Sequence, residues 1–378
     1  MPRGKLLIAF LLIASSQAFG AYSFYRSITV DYTKTGSSDL SNFPVLVSIS
    51  HATLKTLANG GHVQNTTTQS SPAVTMPADL IFATTSAGST KLPWEVESYD
   101  AVNGILVAWV QLPTVSHSTN TTFYMLYGNA TITTAQNTGS YSPANVWDSN
   151  FAGVWHLPDP TNPVDSTGLR SSANHGSSAV TGKVAGGVGF ASGNYVDLGY
   201  TGPLSVFTYS AWIYVTGASY ETIIGGQYAG GMPQWRVDAG RTLSLLDQNV
   251  ALIGTSSVTI SNSIWTYVAV TYNAAGGYAF YVNGVLRESG TQPVSFGGLG
   301  ADTWLGWCGN GGGEYYNGDI DELRISNSAT ARSADWILTE YNNQNAPGNI
   351  GADNFIKFGG ETVPGTAGTI RHRVTGGE

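Results

Sequence analysis

The sequence predicts an all-β protein built from two β-sandwich domains, and three observations lead there. Only 11% of its 378 residues are charged, while Gly numbers 47, Trp 10 and Tyr 20. That is the profile of turn-rich antiparallel sheet and not of helix. Short runs of alternating apolar residues recur along the chain between Gly- and Asn-containing turns. A helical apolar period occurs once, from Ser333 to Asn343, with Ser333 as N-cap and Trp336, Ile337 and Tyr341 as its stripe. Hydrophobic residues make up 42% of the chain, enough to build cores and too much for disorder.

The chain opens with Arg3 and Lys5, an apolar run from Leu6 to Ala14, and small residues from Ser15 to Ala21. This order predicts a secretory signal peptide over residues 1–20, the other reading being an N-terminal anchor. The run is too short to span a bilayer, and no later segment approaches about 18 apolar residues, so no membrane insertion is expected.

Residues 22–130 carry strand-like runs at Ser27–Val30, Phe43–Ile49, Leu80–Phe82, Glu95–Glu97, Ile105–Val110 and Thr122–Tyr127. Strands this short and evenly spaced predict a first β-sandwich. Residues 131–146, rich in Thr, Ser, Gly and Asn, read as a linker. Residues 147–345 form the second domain, with strands at Val154–Leu157, Tyr195–Leu198, Phe207–Val215, Trp265–Tyr272, Ala279–Gly284 and Ile320–Ile325. Asn283-Gly284 marks one of its hairpin turns. Residues 346–378 read as a Gly-rich tail with a short strand around Phe355 to Phe358 and a basic end at Arg371 and Arg373, or as the start of a further module.

Lys and Arg total 16 against 24 Asp and Glu. Removing Arg3 and Lys5 with the signal leaves 14 against 24, a net charge of −10. An acidic surface argues against a nucleic-acid partner, which needs a basic footprint, and is compatible with neutral sugars and divalent cations. Cys308 is the single cysteine, so no intrachain disulfide forms, and it reads as a small buried hydrophobe. The histidines at 51, 62, 117, 156, 175 and 372 show no zinc-type spacing. His156 reads as a hydrogen-bonded core histidine.

Gly318-Asp319-Ile320-Asp321-Glu322-Leu323 reads as a strand leaving a turn, with Asp321 and Leu323 on one face. A desolvated carboxylate there needs a cation or hydrogen-bond donors, and calcium is the natural candidate.

Ordered blocks in the second domain resemble the LamG-like, concanavalin A-type jelly rolls of secreted bacterial proteins. They are Gly153-Val154-Trp155-His156-Leu157, Val164-Asp165-Ser166-Thr167-Gly168, Phe207–Val215, Trp265–Val268, Phe280-Tyr281-Val282-Asn283-Gly284, Gly318–Ile325 and Arg332–Ile337. Residues 22–130 resemble an uncharacterised secreted domain that often precedes such jelly rolls, through Asn42–Val47, Gly60–Asn65, Leu106–Val110 and Tyr124–Asn129. The resemblance implies a structural calcium held by Asp165 and Asp321, with carbonyls near Ser166 and Gly168. The opposing reading makes both acids turn residues that cap backbone N–H groups. The Glu-x-Asp-x-Glu strand motif of hydrolase relatives is not reproduced by Asp319-Ile320-Asp321-Glu322.

Sugars present apolar C–H faces and directional hydroxyls, so a glycan site needs aromatic platforms and polar side chains. The loop candidates are Tyr220, Gln227, Tyr228, Gln234, Trp235, Arg236, Trp307 and Tyr315, with Gly225-Gly226 giving a ligand access to the backbone. Any one of these aromatics also reads as ordinary core. Trp94-Glu95-Val96-Glu97 offers a different chemistry. On a strand the two carboxylates share a face about 6.5–7 Å apart, within the range of an inverting glycosidase, and Trp94 would stack on the sugar. Two acids on a solvated strand face are the plainer reading. The sequence thus predicts a secreted protein binding a polysaccharide or cell-surface glycan, with a calcium-stabilised jelly roll. The alternatives are a glycoside hydrolase using Glu95 and Glu97, and a non-catalytic adhesion module.

Overall fold

The computed structural model describes residues 22–201, 205–226, 233–247, 251–294, 296, 302–309, 313–348 and 354–364, and all counts below are of these residues. The expected signal peptide, Gln227, Tyr228, Arg371 and Arg373 lie outside them. No described helix is long and apolar enough to cross a membrane.

The first unit is a sandwich of two antiparallel sheets. The three-stranded sheet runs Leu40–Ser50, Ile105–Val115, Trp94–Asp100, and the four-stranded sheet runs Ile356–Phe358, Phe24–Val30, Thr121–Tyr127, Ile81–Ala83. Leu106 to Val110 is apolar at every position because this strand is covered on both faces. On the inner face Trp94 meets Phe82 edge-on at 5.5 Å. On the other face Trp109 meets Trp147 and His156 of the second unit.

The second unit is the expected jelly roll of two large antiparallel sheets. One has eight strands, with Gly318–Ser326 at its centre between Phe207–Val215 on one side and Gly186–Phe190 and Phe151–Trp155 on the other. The other has seven strands, with Thr303–Leu305 lying between Tyr195–Asp197 and Glu221–Gly226. Period-two alternation fills the core between them: Val268, Val270 and Tyr272 point inward, while Tyr267 and Ala269 point outward to the helix Ala334–Asn345. Asn283 and Gly284 turn between strands with φ of 51° and 74°, the left-handed pair of a two-residue hairpin. The Ser333 hydroxyl caps the helix, accepting from Trp336 N at 3.1 Å.

Two boundary expectations change. Residues 131–146 are not a free linker: Asn137 is buried and donates to Gln69 Oε1 at 2.7 Å, and Val146 enters the first unit's core. The polar composition that read as flexible is spent on backbone and side-chain hydrogen bonds. The segment after the jelly roll returns to the first unit, where Ile28, Thr29 and Val30 pair with Phe358, Lys357 and Ile356. Phe355 and Ile356 are buried there. One apolar cluster contains Phe43, Trp94 and Trp109 of the first unit together with Phe151, Val154 and Trp336 of the second. The helix fastens the same seam: Asn343 accepts from Leu46 N at 3.1 Å and donates to Pro44 O at 3.2 Å, covering the edge of the three-stranded sheet.

Candidate functional site

The outer face of the seven-stranded sheet carries a ladder of aromatic rings. Val196 and Leu305 point into the core, so their neighbours Tyr195 and Trp304 point outward. Trp304 and Trp307 stack with centroids 4.4 Å apart and planes 8° from parallel, and Trp307 stacks on Tyr315 at 5.3 Å and 9°. Tyr195 leans on both tryptophans at 4.9 and 5.4 Å, and His175 stacks on Tyr195 at 4.3 Å. The four larger rings are half-buried and His175 is exposed. Beside them Glu314 accepts from Gln234 Nε2 at 2.6 Å and from Arg236 Nη1 at 3.0 Å, and Arg236 lies over the ring of Tyr220 at 4.3 Å.

This ladder joins Trp307 and Tyr315 of the sequence candidates, with Tyr220, Gln234 and Arg236 alongside. Gln234 and Arg236 sit on the strand Gln234–Val237, not on a loop. Trp235, between them, is fully buried in the jelly-roll core because alternation turns it inward. Gly225 does not admit a ligand: a Cβ there would lie 2.5 Å from Trp307 O, so the loop carrying Trp307 occupies that space. Tyr195, Trp304 and His175 were missed, although the inward Val196 and Leu305 flanking them were a usable signal.

The second cluster lies in the seam between the units. Glu95 and Glu97 leave the strand Trp94–Asp100 on the side facing the jelly roll, and both are almost wholly buried, not solvated. Glu95 accepts from Trp147 Nε1 at 2.9 Å and from the Ser166 hydroxyl at 2.6 Å. Glu97 accepts from Trp109 Nε1 at 2.9 Å. Trp94 is on the opposite face in the first unit's core, so it presents no surface to a sugar.

The jelly roll's half of the cluster comes from a β-bulge. Opposite Ala211, where Ser210 pairs with Arg324 and Trp212 with Asp321, the strand Gly318–Ser326 carries two residues, and Glu322 takes φ of 54°. The bulge resets the alternation. Leu323 therefore joins Ile320 in the core instead of sharing a face with Asp321, and Asp321, Glu322 and Arg324 all turn toward the seam. His156, buried and hydrogen-bonded as expected, stacks on Trp109 and meets Glu322 Oε1 through Nδ1 at 2.6 Å. Arg324 donates to Glu322 Oε2 at 2.8 Å, pairs with Glu340 Oε2 at 3.1 Å, and lies over the rings of Trp109 and Trp147.

Burial alone would push the His156 imidazole down, yet Glu322 and Glu95 beside it hold it well above its ordinary value. Burial and repulsion from Glu322 push Glu97 up to about 8. Burial, with Glu322 and Glu97 as neighbours, also raises Asp321 well above the carboxylate range. For Glu322 the burial cost is outweighed by His156 and Arg324, which hold it below its usual value. A cleft lined by Pro72, Val74, Pro158, Asn162 and Val164 leads to Glu97 and His156. Its volume is about 70 Å³, room for a few waters and far below the roughly 300–1,000 Å³ of small-molecule pockets.

The Asp165 and Asp321 pair does not fit calcium. Asp165 accepts from Val154 N, Thr167 N, Leu169 N and the Thr167 hydroxyl, all within 3.1 Å, which fills its acceptor sites. It is the turn-capping residue of the alternative reading. Asp321 accepts from Val184 N at 2.8 Å, lies beside Glu322 on its own strand and feels Glu97 across the seam. Calcium requires 6–8 oxygens around it, and Asp165 has none to spare.

A family model for the concanavalin A-like lectin/glucanases superfamily matches residues 190–338, and one for a domain of unknown function, DUF2341, matches residues 77–146. No curated protein matches the chain. Among solved structures, domain 4 of AbnA, a GH43 extracellular arabinanase from Geobacillus stearothermophilus in complex with arabinotriose, is 19% identical. The match covers 51% of this chain and 98% of that one with a TM-score of 0.42. The binding domain of Paraclostridial Mosquitocidal Protein 1 is 15% identical over 51% of this chain and 52% of its own, with a TM-score of 0.40. The receptor binding domain of botulinum neurotoxin D is 16% identical over 52% of this chain and 53% of its own, also at 0.40. The chain thus spans about half the length of the two toxin domains. Over residues 190–338 the chain therefore carries a match to the concanavalin A-like lectin/glucanases superfamily, preceded at residues 77–146 by a match to DUF2341.

Proposed function

We propose that the protein is a secreted carbohydrate-binding protein that holds a neutral glycan on the aromatic ladder of its jelly roll. The observation that carries this reading is the run of half-buried rings from Tyr195 through Trp304 and Trp307 to Tyr315. Trp304 and Tyr315 cover the two faces of Trp307, so the ladder presents ring edges and the outer faces of its end rings, a rigid apolar surface that meets sugar C–H groups at little cost in side-chain entropy. Glu314, fixed by the buried Gln234 and Arg236, supplies acceptors for hydroxyls at its margin. The superfamily that residues 190–338 match, described by its lectins and glucanases, supports the same ligand class. The N-terminal signal pattern supports an extracellular location.

Hydrolysis by Glu95 and Glu97 receives no support from the geometry. Both acids are buried in the seam, and the cleft beside them is too small for a sugar ring. The test is retention on a panel of insoluble polysaccharides and a glycan array, with reducing-sugar release measured alongside. The wild type should be retained without releasing sugar, and Trp304→Ala and Trp307→Ala should each weaken retention at least tenfold. Retention unchanged in both variants, or no retention by the wild type, would overturn the assignment.

A further inference from the structure

The seam buries more acid than base. Glu95, Glu97, Asp321, Glu322 and Glu340 are each no more than 2% exposed, and Arg324 and His156 are the buried bases among them. Even with the imidazole charged, five acids face two bases. Uncompensated charge is expensive in such a place, so the excess is met either by protons or by a cation.

Two further observations point to a ligand. Glu97 Oε1, the carboxylate oxygen that Trp109 leaves free, is buried without a hydrogen-bond partner. The cleft from the surface also ends on Glu97 and His156. One ligand-type atom each from Glu97, His156 and Glu322 lie within 4.8 Å of one another.

We propose that Glu97, His156 and Glu322 bind a first-row divalent metal ion, with water from the cleft completing its shell. One imidazole and two carboxylates form a mixed N/O set that suits zinc and its neighbours, whereas calcium needs more oxygens than converge here. Each ligand is oriented from behind. Arg324 holds Glu322 Oε2, Trp109 Nε1 holds Glu97 Oε2, and Glu95 Oε1 lies 3.7 Å from His156 Nε2. Glu95 is itself fixed by Trp147 and Ser166. His156 Nδ1, 2.6 Å from Glu322 Oε1 and 3.7 Å from Glu97 Oε2, is the ligating nitrogen. On binding, Nδ1 loses its proton to solvent, the metal takes the place of its hydrogen bond to Glu322, and Nε2–H turns to Glu95. Glu97 comes from the first unit and the other two ligands from the second, so the ion staples the seam.

The test uses the untagged chain without residues 1–20, stripped by chelator and titrated with Zn²⁺. After desalting, about one zinc per chain should remain, and Tm should rise by about 5 °C or more at a hundredfold excess over Kd. Glu97→Gln and His156→Gln should each lower affinity at least tenfold, and Glu95→Gln by about 10–100-fold through the outer contact. Less than a tenth of an equivalent retained by folded wild type would overturn the proposal. So would affinity unchanged in folded Glu97→Gln and His156→Gln, or a Tm raised by Ca²⁺ and not by Zn²⁺. Should the variants not fold, Co²⁺ bound to the wild type decides: visible bands of a low-symmetry N/O site support it, and the spectrum of the free aquo ion overturns it.

Discussion

Arg324 is the fixed positive charge of the seam, so its removal tests how the two units are held together. Arg324→Met keeps the length and the apolar stem but leaves Glu322 and Glu340, 2.8 and 3.1 Å from the guanidinium, without it. Breaking a buried pair by removing one partner costs about 3–5 kcal/mol. Lost stacking over Trp109 and Trp147, at 4.5 and 5.1 Å, adds on the order of 1 kcal/mol. Against a usual total of about 5–15 kcal/mol this is a large fraction, and Tm should fall by roughly 10 °C. Arg324→Lys keeps a charge but not the fork that reaches both acids, so it should recover part of the loss. The triple variant Arg324→Met, Glu322→Gln, Glu340→Gln removes the stranded charges as well and should be more stable than Arg324→Met alone. Urea unfolding followed by tryptophan fluorescence measures all three. A single-variant loss below about 1 kcal/mol, or a triple-variant loss equal to the sum of its parts, would refute the view that these charges act as one buried network.

Other outcomes follow from particular contacts. Phe355→Ala empties a buried position in the first unit's core and should cost about 3–5 kcal/mol by equilibrium unfolding, despite lying outside the matched domains. The returning strand is also held by Lys357 on Asp31 at 2.8 Å and by Glu361 accepting from Tyr127 Oη at 2.5 Å. The Lys357 hydrogen bond lowers Asp31 to about 2, and for Glu361 the bonds from Tyr127 and His62 outweigh the burial that would raise it. A depressed carboxylate stabilises above its unfolded value and loses that stability as pH falls through the folded one. Exchange of the Ile356–Phe358 amides, corrected for intrinsic rate, should therefore quicken between pH 4.5 and 2, by about 1 kcal/mol or less per exposed pair. Gly225→Ala must displace the loop at Trp307, so glycan retention should fall while far-UV circular dichroism is unchanged.

Much of the fold was legible. Alternation located the strands of both sandwiches, and Ser333, Trp336 and Ile337 located the helix, because these signals are local. Chain return was not legible: Ile356–Phe358 is three residues long, and its partner lies more than 300 positions earlier. Glu95 and Glu97 looked solvated because the sequence does not reveal that a second unit covers that face. The metal-type cluster escaped a search for histidine spacing because its members sit at positions 97, 156 and 322 and meet only in the seam. The bulge at Glu322 hid the orientation of Leu323, since one inserted residue reverses every later position. On the aromatic side Trp307 and Tyr315 were found from composition, while Tyr195 and Trp304 required knowing which strand neighbours face inward.

The pairing of Phe24–Val30 with Ile356–Phe358 sets an order of events during synthesis. A strand made near the start must wait for a partner 326 residues after Val30. At about 5–20 residues per second the wait is roughly 16–65 s, long enough for the intervening jelly roll to form first. Throughout that interval the Phe24–Val30 strand has one unpaired side, open to strands of other nascent chains. Dense translation should therefore favour intermolecular pairing, and a separately supplied peptide spanning residues 354–364 should suppress it by occupying the waiting edge.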